Sequence, residues 1–233
     1  MATWGSPLNR PASSRPAEPT LRYAICGLSN RALAMFVLPM LRDPERRLGQ
    51  PVAIVDPDTA RVEEFARRLA GDAQIRHYRP EHFETMVDEM GPDAVIVTSP
   101  DHTHAGYILA ALARDLDVIT EKPMVSTAAD AQRVLDAEHA SRASVRVAHN
   151  LRYAPRHQEI KRLVQTGAVG RVTHVNLAWQ VDVRHGASYF YRWNRSRALS
   201  GGLSVHKSCH HLDLVNWWLD ERPAATVRAS SSN

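Results

Sequence analysis

From Leu21 onward, short apolar runs and stretches of helical spacing take turns along the chain, and this alternation constrains the fold more than any other feature. Leu21 to Cys26, Val52 to Val55, Ile75 to Tyr78, Ala94 to Thr98, Val118 to Thr120 and Val145 to Ala148 read as strands. Between them, Arg31 to Leu41, Thr59 to Leu69, Glu81 to Met90, His104 to Arg114 and Ala128 to Ser141 read as helices. Strand and helix exchanged at this spacing argue for βαβ units, and hence for an α/β fold with a doubly wound parallel sheet and helices on both faces.

The rhythm changes after about residue 150. A helix is expected from Pro155 to Gln165, then a turn at Thr166 to Gly170 and a long alternating strand from Arg171 to Val181. A loop rich in aromatics and arginine follows, Arg184 to Arg197, then Gly201 and Gly202, a helix running to Leu219, and a last strand from Ala225 to Ala229. Two strands cannot cover both the edges and the apolar face of a sheet, so this part reads as a partial α+β domain. The expected organisation is a disordered leader over 1–20, a dinucleotide-binding domain over 21–150, and a partial substrate and oligomerisation domain over 151–233. The leader carries Pro7, Pro11, Pro16 and Pro19 but no apolar core of a secretory signal, which argues against export.

Charge and cysteine content narrow the function classes. A net charge of +4 and a pI near 9.3 invite a nucleic-acid reading, but the basic residues are scattered rather than blocked. The loop of Arg184, Tyr189, Phe190, Tyr191, Arg192, Trp193, Arg195 and Arg197 is suited to stacking on the C–H faces of sugars, and no nucleic-acid partner is expected. The longest apolar run, Ala32 to Leu41, is about half the ~20 residues that a bilayer demands, so no membrane partner is expected either. Cys26 and Cys209 are too few for a disulfide framework, and a cytoplasmic location fits best. Of the 29 basic residues only Lys122, Lys161 and Lys207 are lysines, the one basic side chain whose proton affinity is readily tuned.

Three constellations carry chemistry. The first strand runs into Cys26-Gly27-Leu28-Ser29-Asn30-Arg31-Ala32, in the register of G-x-G-x-x-A with serine at the second glycine. Gly27 permits the tight turn, Ala32 close helix packing, and the N–H groups of the helix start suit a pyrophosphate. Asp56 ends the second strand, where a ribose-binding acid belongs. The second constellation pairs Thr98-Ser99-Pro100-Asp101-His102-Thr103-His104 with Thr120-Glu121-Lys122-Pro123, both at carboxyl ends of strands, where open sheets bind ligands. The third runs from Gly201 to Trp218. On one continuous helix His206, His210, Asp213 and Trp217 share a stripe, and Val205, Cys209, Leu212, Val215 and Leu219 form an apolar face. His206 and His210 have the i, i+4 spacing of a shared zinc ion, but the cationic Lys207 between them disfavours it and no metal is expected.

Taken in order, Gly27 to Ala32, Thr98 to His104, Glu121-Lys122-Pro123, Tyr153-Ala154-Pro155 and Gly201 to Trp218 resemble the Gfo/Idh/MocA family of glucose-fructose oxidoreductase and inositol dehydrogenase. The resemblance covers about residues 21 to 229 and implies a Rossmann domain followed by an α+β domain whose open sheet covers the substrate and forms a homo-oligomer contact. It implies NAD or NADP, and a polyol partner such as a sugar or cyclitol; Asp56, which would accept from a ribose diol and repel a 2′-phosphate, favours NAD, with NADP possible. Lys122 then corresponds to the cofactor-side catalytic lysine and His210 to the catalytic histidine. His206 and Ser208 stand where many members have the aspartate and glycine of Asp-x-Gly-x-His, so an orienting acid is missing and the expected proton relay is Lys122, His206 and His210. The expected cofactor contacts are Gly27, Ser29, Asn30, Arg31, Asp56, Ser99, Pro100, His104, Glu121 and Lys122. The expected substrate contacts are Tyr153, Lys207, His211 and Trp193. The remainder of the C-terminal sheet is absent, so the chain reads as a fragment. The expected function is an NAD(P)-dependent dehydrogenase acting on CH–OH groups; a cofactor-binding protein without turnover and an NAD-dependent glycoside-cleaving enzyme are the alternatives.

Overall fold

The structure, a computed structural model, describes residues 20–220 apart from 44, 46, 70 and 72. The leader up to Pro19 and the Ala225 to Ala229 strand lie outside the described residues. Six strands, β1 (Arg22–Cys26), β2 (Gln50–Val55), β3 (Arg76–Tyr78), β4 (Ala94–Val97), β5 (Asp117–Thr120) and β6 (Val145–Val147), form one parallel sheet in the order β3-β2-β1-β4-β5-β6. This is the doubly wound order, with the strand sequence reversing between β1 and β4.

Side-chain alternation along each strand builds two cores at once. Ile25 sits in register with Ile54 on one side and Ile96 on the other, and this row packs against Leu28, Ala32, Val37 and Phe65. The neighbouring row, Val55, Cys26 and Val97, faces the opposite way onto Met86, Ile108, Leu112 and Val134. Helices run over 30–41, with a π-helical stretch at Leu33–Val37, and over Thr59–Leu69, Phe83–Met90, His104–Leu112 and Ala128–Ala140. Thr127 caps the last of these by accepting from the Asp130 N–H at 3.0 Å.

Past β6 the chain forms a helical lobe. The Pro155–Gln165 helix, with proline at its first position, packs against the Cys209–Trp218 helix. Trp218 Nε1 donates to the His157 carbonyl at 3.1 Å, and Lys161 pairs with Asp220 at 2.6 Å. Three expectations fail here. Arg171 to Val181 forms no strand among the described residues, because alternation alone does not supply the neighbouring backbone that a ladder needs. The Arg184 to Arg197 segment is built of short turns of helix, Val183–Gly186, Ser188–Tyr191 and Trp193–Arg195. The expected continuous helix to Leu219 is broken into Leu203–His206 and Cys209–Trp218, so the stripe drawn through His206 and His210 does not exist as one face. Leu212, expected on the apolar face, is 64% exposed, and Leu214 is buried in its place.

This lobe is packed with histidine. Burial lowers the proton affinity of His149, His157, His210 and His211, taking His210 from its usual 6.5 down to about 3. Groups depressed on folding contribute stability above the unfolded value of 6.5, and that contribution is lost as pH falls toward the folded value. The urea midpoint of this lobe is therefore expected to fall between about pH 7.5 and about pH 5, and less steeply in His210→Leu. Fluorescence reports it, since Trp179, Trp193, Trp217 and Trp218 all lie in the lobe; a midpoint independent of pH contradicts it. In the sheet, Gly27 has φ +96° and a Cβ there would stand 2.5 Å from the Ser99 backbone. Gly27→Ala is expected to destabilise by at least about 1–3 kcal/mol in thermal unfolding, and an unchanged melting temperature would show that the Ser99 loop yields.

Candidate active site

The carboxyl ends of β1 and β2 meet in a tight network. Gly27 donates its N–H to the Val55 carbonyl at 2.8 Å, and the Thr98 hydroxyl donates to the Gly27 carbonyl at 2.6 Å. Ser29 caps the following helix, its hydroxyl accepting from the Ala32 N–H at 3.1 Å, so the serine in the glycine-like position has a structural task. Asn30 is exposed at that helix start, where N–H groups lack partners within the helix. Asp56 is 3% exposed and accepts from Leu28 N–H at 2.7 Å and Asp58 N–H at 2.8 Å. Its carboxylate thus holds the glycine turn in place, with about two of its roughly four acceptor positions remaining.

The loops after β4 and β5 form the other wall. Ser99 accepts from the Thr103 hydroxyl at 2.6 Å, and Pro100 is exposed beside it. His104 departs from its expected role: it is buried between the two loops, with Nδ1 2.9 Å from the Pro123 carbonyl and Nε2 2.9 Å from the Ser99 carbonyl, so both ring nitrogens face backbone and not a ligand. Glu121 is buried and paired with Arg31 at 2.6 Å, which ties the β5 loop to the first helix. Lys122, before a cis bond to Pro123, extends its amine to the His206 carbonyl at 3.1 Å and so reaches the second lobe.

On that lobe, His206 Nδ1 lies 2.5 Å from Asp101 Oδ2. The rings of Tyr189 and Trp193 stand edge-on to it at 5.6 Å and 5.7 Å. An acid from the loop after β4 thus meets His206 and not His210, the histidine for which the orienting aspartate is missing from the helix. His210 is 8% exposed, its ring 5.9 Å from that of His149. Burial, then Lys122, His149, Lys207 and His211, hold it down to about 3. Burial and Lys122 also lower Lys207. His211 stacks on Trp179 at 4.6 Å. Among the described residues, His149 Nδ1, His210 Nδ1 and His211 Nε2 are buried without a hydrogen-bond partner. Tyr153 is 77% exposed. Asp213 accepts both Arg152 nitrogens, at 2.9 and 2.6 Å. A cavity of about 380 Å³ borders His149, Cys209 and Val205, but Gly27, Asp56 and Ser99 do not line it, so it is separate from the crevice of the glycine turn.

Asp101 and His149 are the members of the cluster to which sequence reasoning gave no role, whereas Tyr189 belongs to the aromatic loop it named. Asp101 belongs to the Thr98 to His104 segment, yet nothing local distinguishes the loop residue that meets a histidine so far along the chain. The residues fit a dinucleotide: a turn in which a Cβ would strike the opposite loop, a helix start with N–H donors, and an acid at the end of β2. Beside that crevice stand an amine and imidazoles suited to binding a hydroxyl and moving a proton.

Comparison with known proteins agrees with this architecture. Residues 21–149 match the oxidoreductase family model described as an NAD-binding Rossmann fold, and residues 161–233 match that family's C-terminal alpha/beta domain. The chain is 48% identical over 198 residues to a putative oxidoreductase, YteT, of Bacillus subtilis, covering 85% of this chain and 46% of that protein. It is 30% identical over 189 residues to inositol 2-dehydrogenase of Rubrobacter xylanophilus, covering 77% of this chain and 47% of that protein. The chain thus spans about half the length of the curated relatives it matches. A crystal structure of the WlbA dehydrogenase from Bordetella pertussis, in complex with NADH and UDP-GlcNAcA, shares the fold with a TM-score of 0.69 at 20% identity, covering 86% of this chain and 55% of that one. No helix among the described residues is long and apolar enough to cross a membrane. With the glycine turn, the strand order and the family model in agreement over more than half of its length, the chain belongs to the Gfo/Idh/MocA oxidoreductase family and carries its NAD-binding Rossmann fold.

Proposed function

We propose that this chain provides the cofactor crevice and the proton-handling wall of a dehydrogenase acting on a CH–OH group of a sugar, cyclitol or related polyol. The observation that carries the reading is the reach of Lys122: from the carboxyl end of β5 its amine touches the His206 backbone, placing the cofactor-side loop against the histidine lobe. Relatives named inositol 2-dehydrogenase support a cyclitol-like substrate class. A bound nicotinamide supplies the acceptor or donor of hydride. The chain's own residues do the rest. The Gly27 turn and the helix start hold pyrophosphate, Asp56 accepts from a ribose diol, and Lys122, His206 and His210 surround the hydroxyl whose proton must leave or return.

NAD is favoured over NADP on charge grounds. A 2′-phosphate would meet Asp56 and Asp58; of the two nearby arginines, Arg61 is already shared between those acids, at 3.9 Å and 3.2 Å, and Arg31 pairs with Glu121 at 2.6 Å. Calorimetric titration of both dinucleotides is expected to give tighter NAD binding, and NADP binding as tight or tighter reverses the assignment. For the reaction itself, a panel of cyclitols and aldoses that includes myo-inositol is screened by NADH absorbance. Stoichiometric NADH release is the expected result, whereas NAD binding without release favours a binding protein or an enzyme that recycles its cofactor. Lys122→Ala is expected to lower turnover by ~10²–10⁴ while NAD binding, measured separately, persists; full activity in that variant would falsify the role given to the lysine.

A further inference from the structure

His206 and His210, both neighbours of Lys122, sit in different settings. Around His210, Lys122, His149, Lys207 and His211 all disfavour a proton, and burial acts in the same sense. His206 instead faces a carboxylate. Asp101, only 4% exposed, stands 2.5 Å from its Nδ1. The other titratable groups against His206 contact its backbone or its ring edge: Lys122 Nζ at 3.1 Å and Cys209 Sγ at 3.6 Å both approach its carbonyl, and Tyr189 stands edge-on. Trp193 closes another side. The ring is thus held by its Nδ1 edge, by its backbone and by two aromatic neighbours.

We propose that Asp101 is a positioning residue that fixes His206 as the Nδ1–H tautomer, leaving the lone pair on Nε2 to accept the substrate hydroxyl's proton, with His210 a neutral hydrogen-bonding group. The physical logic is that of a buried carboxylate which orients an imidazole and faces the positive charge that arises on it. In the oxidative direction the hydroxyl O–H bond breaks and its proton forms the His206 Nε2–H bond. The electron pair left on oxygen forms the carbonyl as hydride leaves the carbon for the bound nicotinamide, so substrate is oxidised and NAD reduced. This step rests on the dehydrogenase reading; the tautomer does not.

The test begins without substrate. Long-range ¹H–¹⁵N spectra of the histidine-labelled chain at about pH 7.5 distinguish a protonated from an unprotonated ring nitrogen, and the His206→Gln spectrum identifies which signals belong to His206. The expected result is an Nδ1–H ring in the native chain and loss of that single tautomer in Asp101→Asn, with the melting temperature and NAD binding retained. Asp101→Glu is expected to restore it in part. An Nε2–H ring in the native chain, or the same tautomer in Asp101→Asn, overturns the proposal. The kinetic arm uses myo-inositol and NAD. Asp101→Asn should lower kcat by on the order of 10²- to 10⁴-fold with KM little changed, and Asp101→Asn combined with His206→Gln should lose little more than either alone. An unchanged kcat in Asp101→Asn also overturns it. Absence of any turnover in the native chain counts against the substrate reading, and the spectra still decide the pair.

Discussion

The Thr98 hydroxyl donates to the Gly27 carbonyl at 2.6 Å, and the Thr98 N–H to the Cys26 carbonyl at 2.8 Å, so the ends of β1 and β4 are fastened side by side. These are the two strands between which the sheet order reverses, and the connections that leave them must therefore diverge to opposite faces. The crevice is the space that divergence leaves. Gly27 approaches Ser99 so closely that only a residue without Cβ fits, which fixes the width of the opening before any ligand contact is considered. Asp56 then holds the Leu28 N–H from the β2 side, and the glycine turn is secured from both neighbouring strands.

Polar contacts join the second lobe to this frame. His104 lies between the β4 and β5 loops, its ring nitrogens facing the Ser99 and Pro123 carbonyls. From those two loops come Asp101 and Lys122, and both end on His206, one at its ring and the other at its backbone. A displacement of either loop thus moves the same histidine. Such partly buried contacts are directional and leave little freedom in the ring's orientation.

The sheet was legible because strands covered on both faces read as uninterrupted apolar runs, Ala94 to Val97 and Val52 to Val55 being the clearest. The Gly27 turn was legible for the same reason, since it sits where a buried strand must stop. Beyond residue 150 the signals were local and the structure was not. The alternation in Arg171 to Val181 looks like a strand, yet among the described residues no strand pairs with it. The spacing of His206 and His210 puts them on one face only if the helix is unbroken, and it breaks at Lys207 and Ser208. His104 looked like a ligand because it ends a loop at the crevice; only its burial shows that both nitrogens face backbone. Asp101 was passed over because its partner is supplied by tertiary packing, which no periodicity encodes.

Buried carboxylates need partners, and the partners here differ in kind. Glu121 is paired with Arg31 and Asp213 with Arg152, in the second case through two guanidinium nitrogens. Arginine does not release its proton at any pH the fold survives, so these pairs are fixed charges that hold a loop and a helix in place. His149 stands 3.6 Å from Asp213, beyond hydrogen-bond distance, and burial outweighs that carboxylate in lowering its proton affinity. Asp101, by contrast, has an imidazole as its close partner. In the proposed tautomer Nδ1 keeps its hydrogen on the acid while Nε2 handles the substrate proton, so the transfer leaves that contact in place. The fixed pairs therefore set the geometry, and the contact between Asp101 and His206 is where the proposed proton transfer would act.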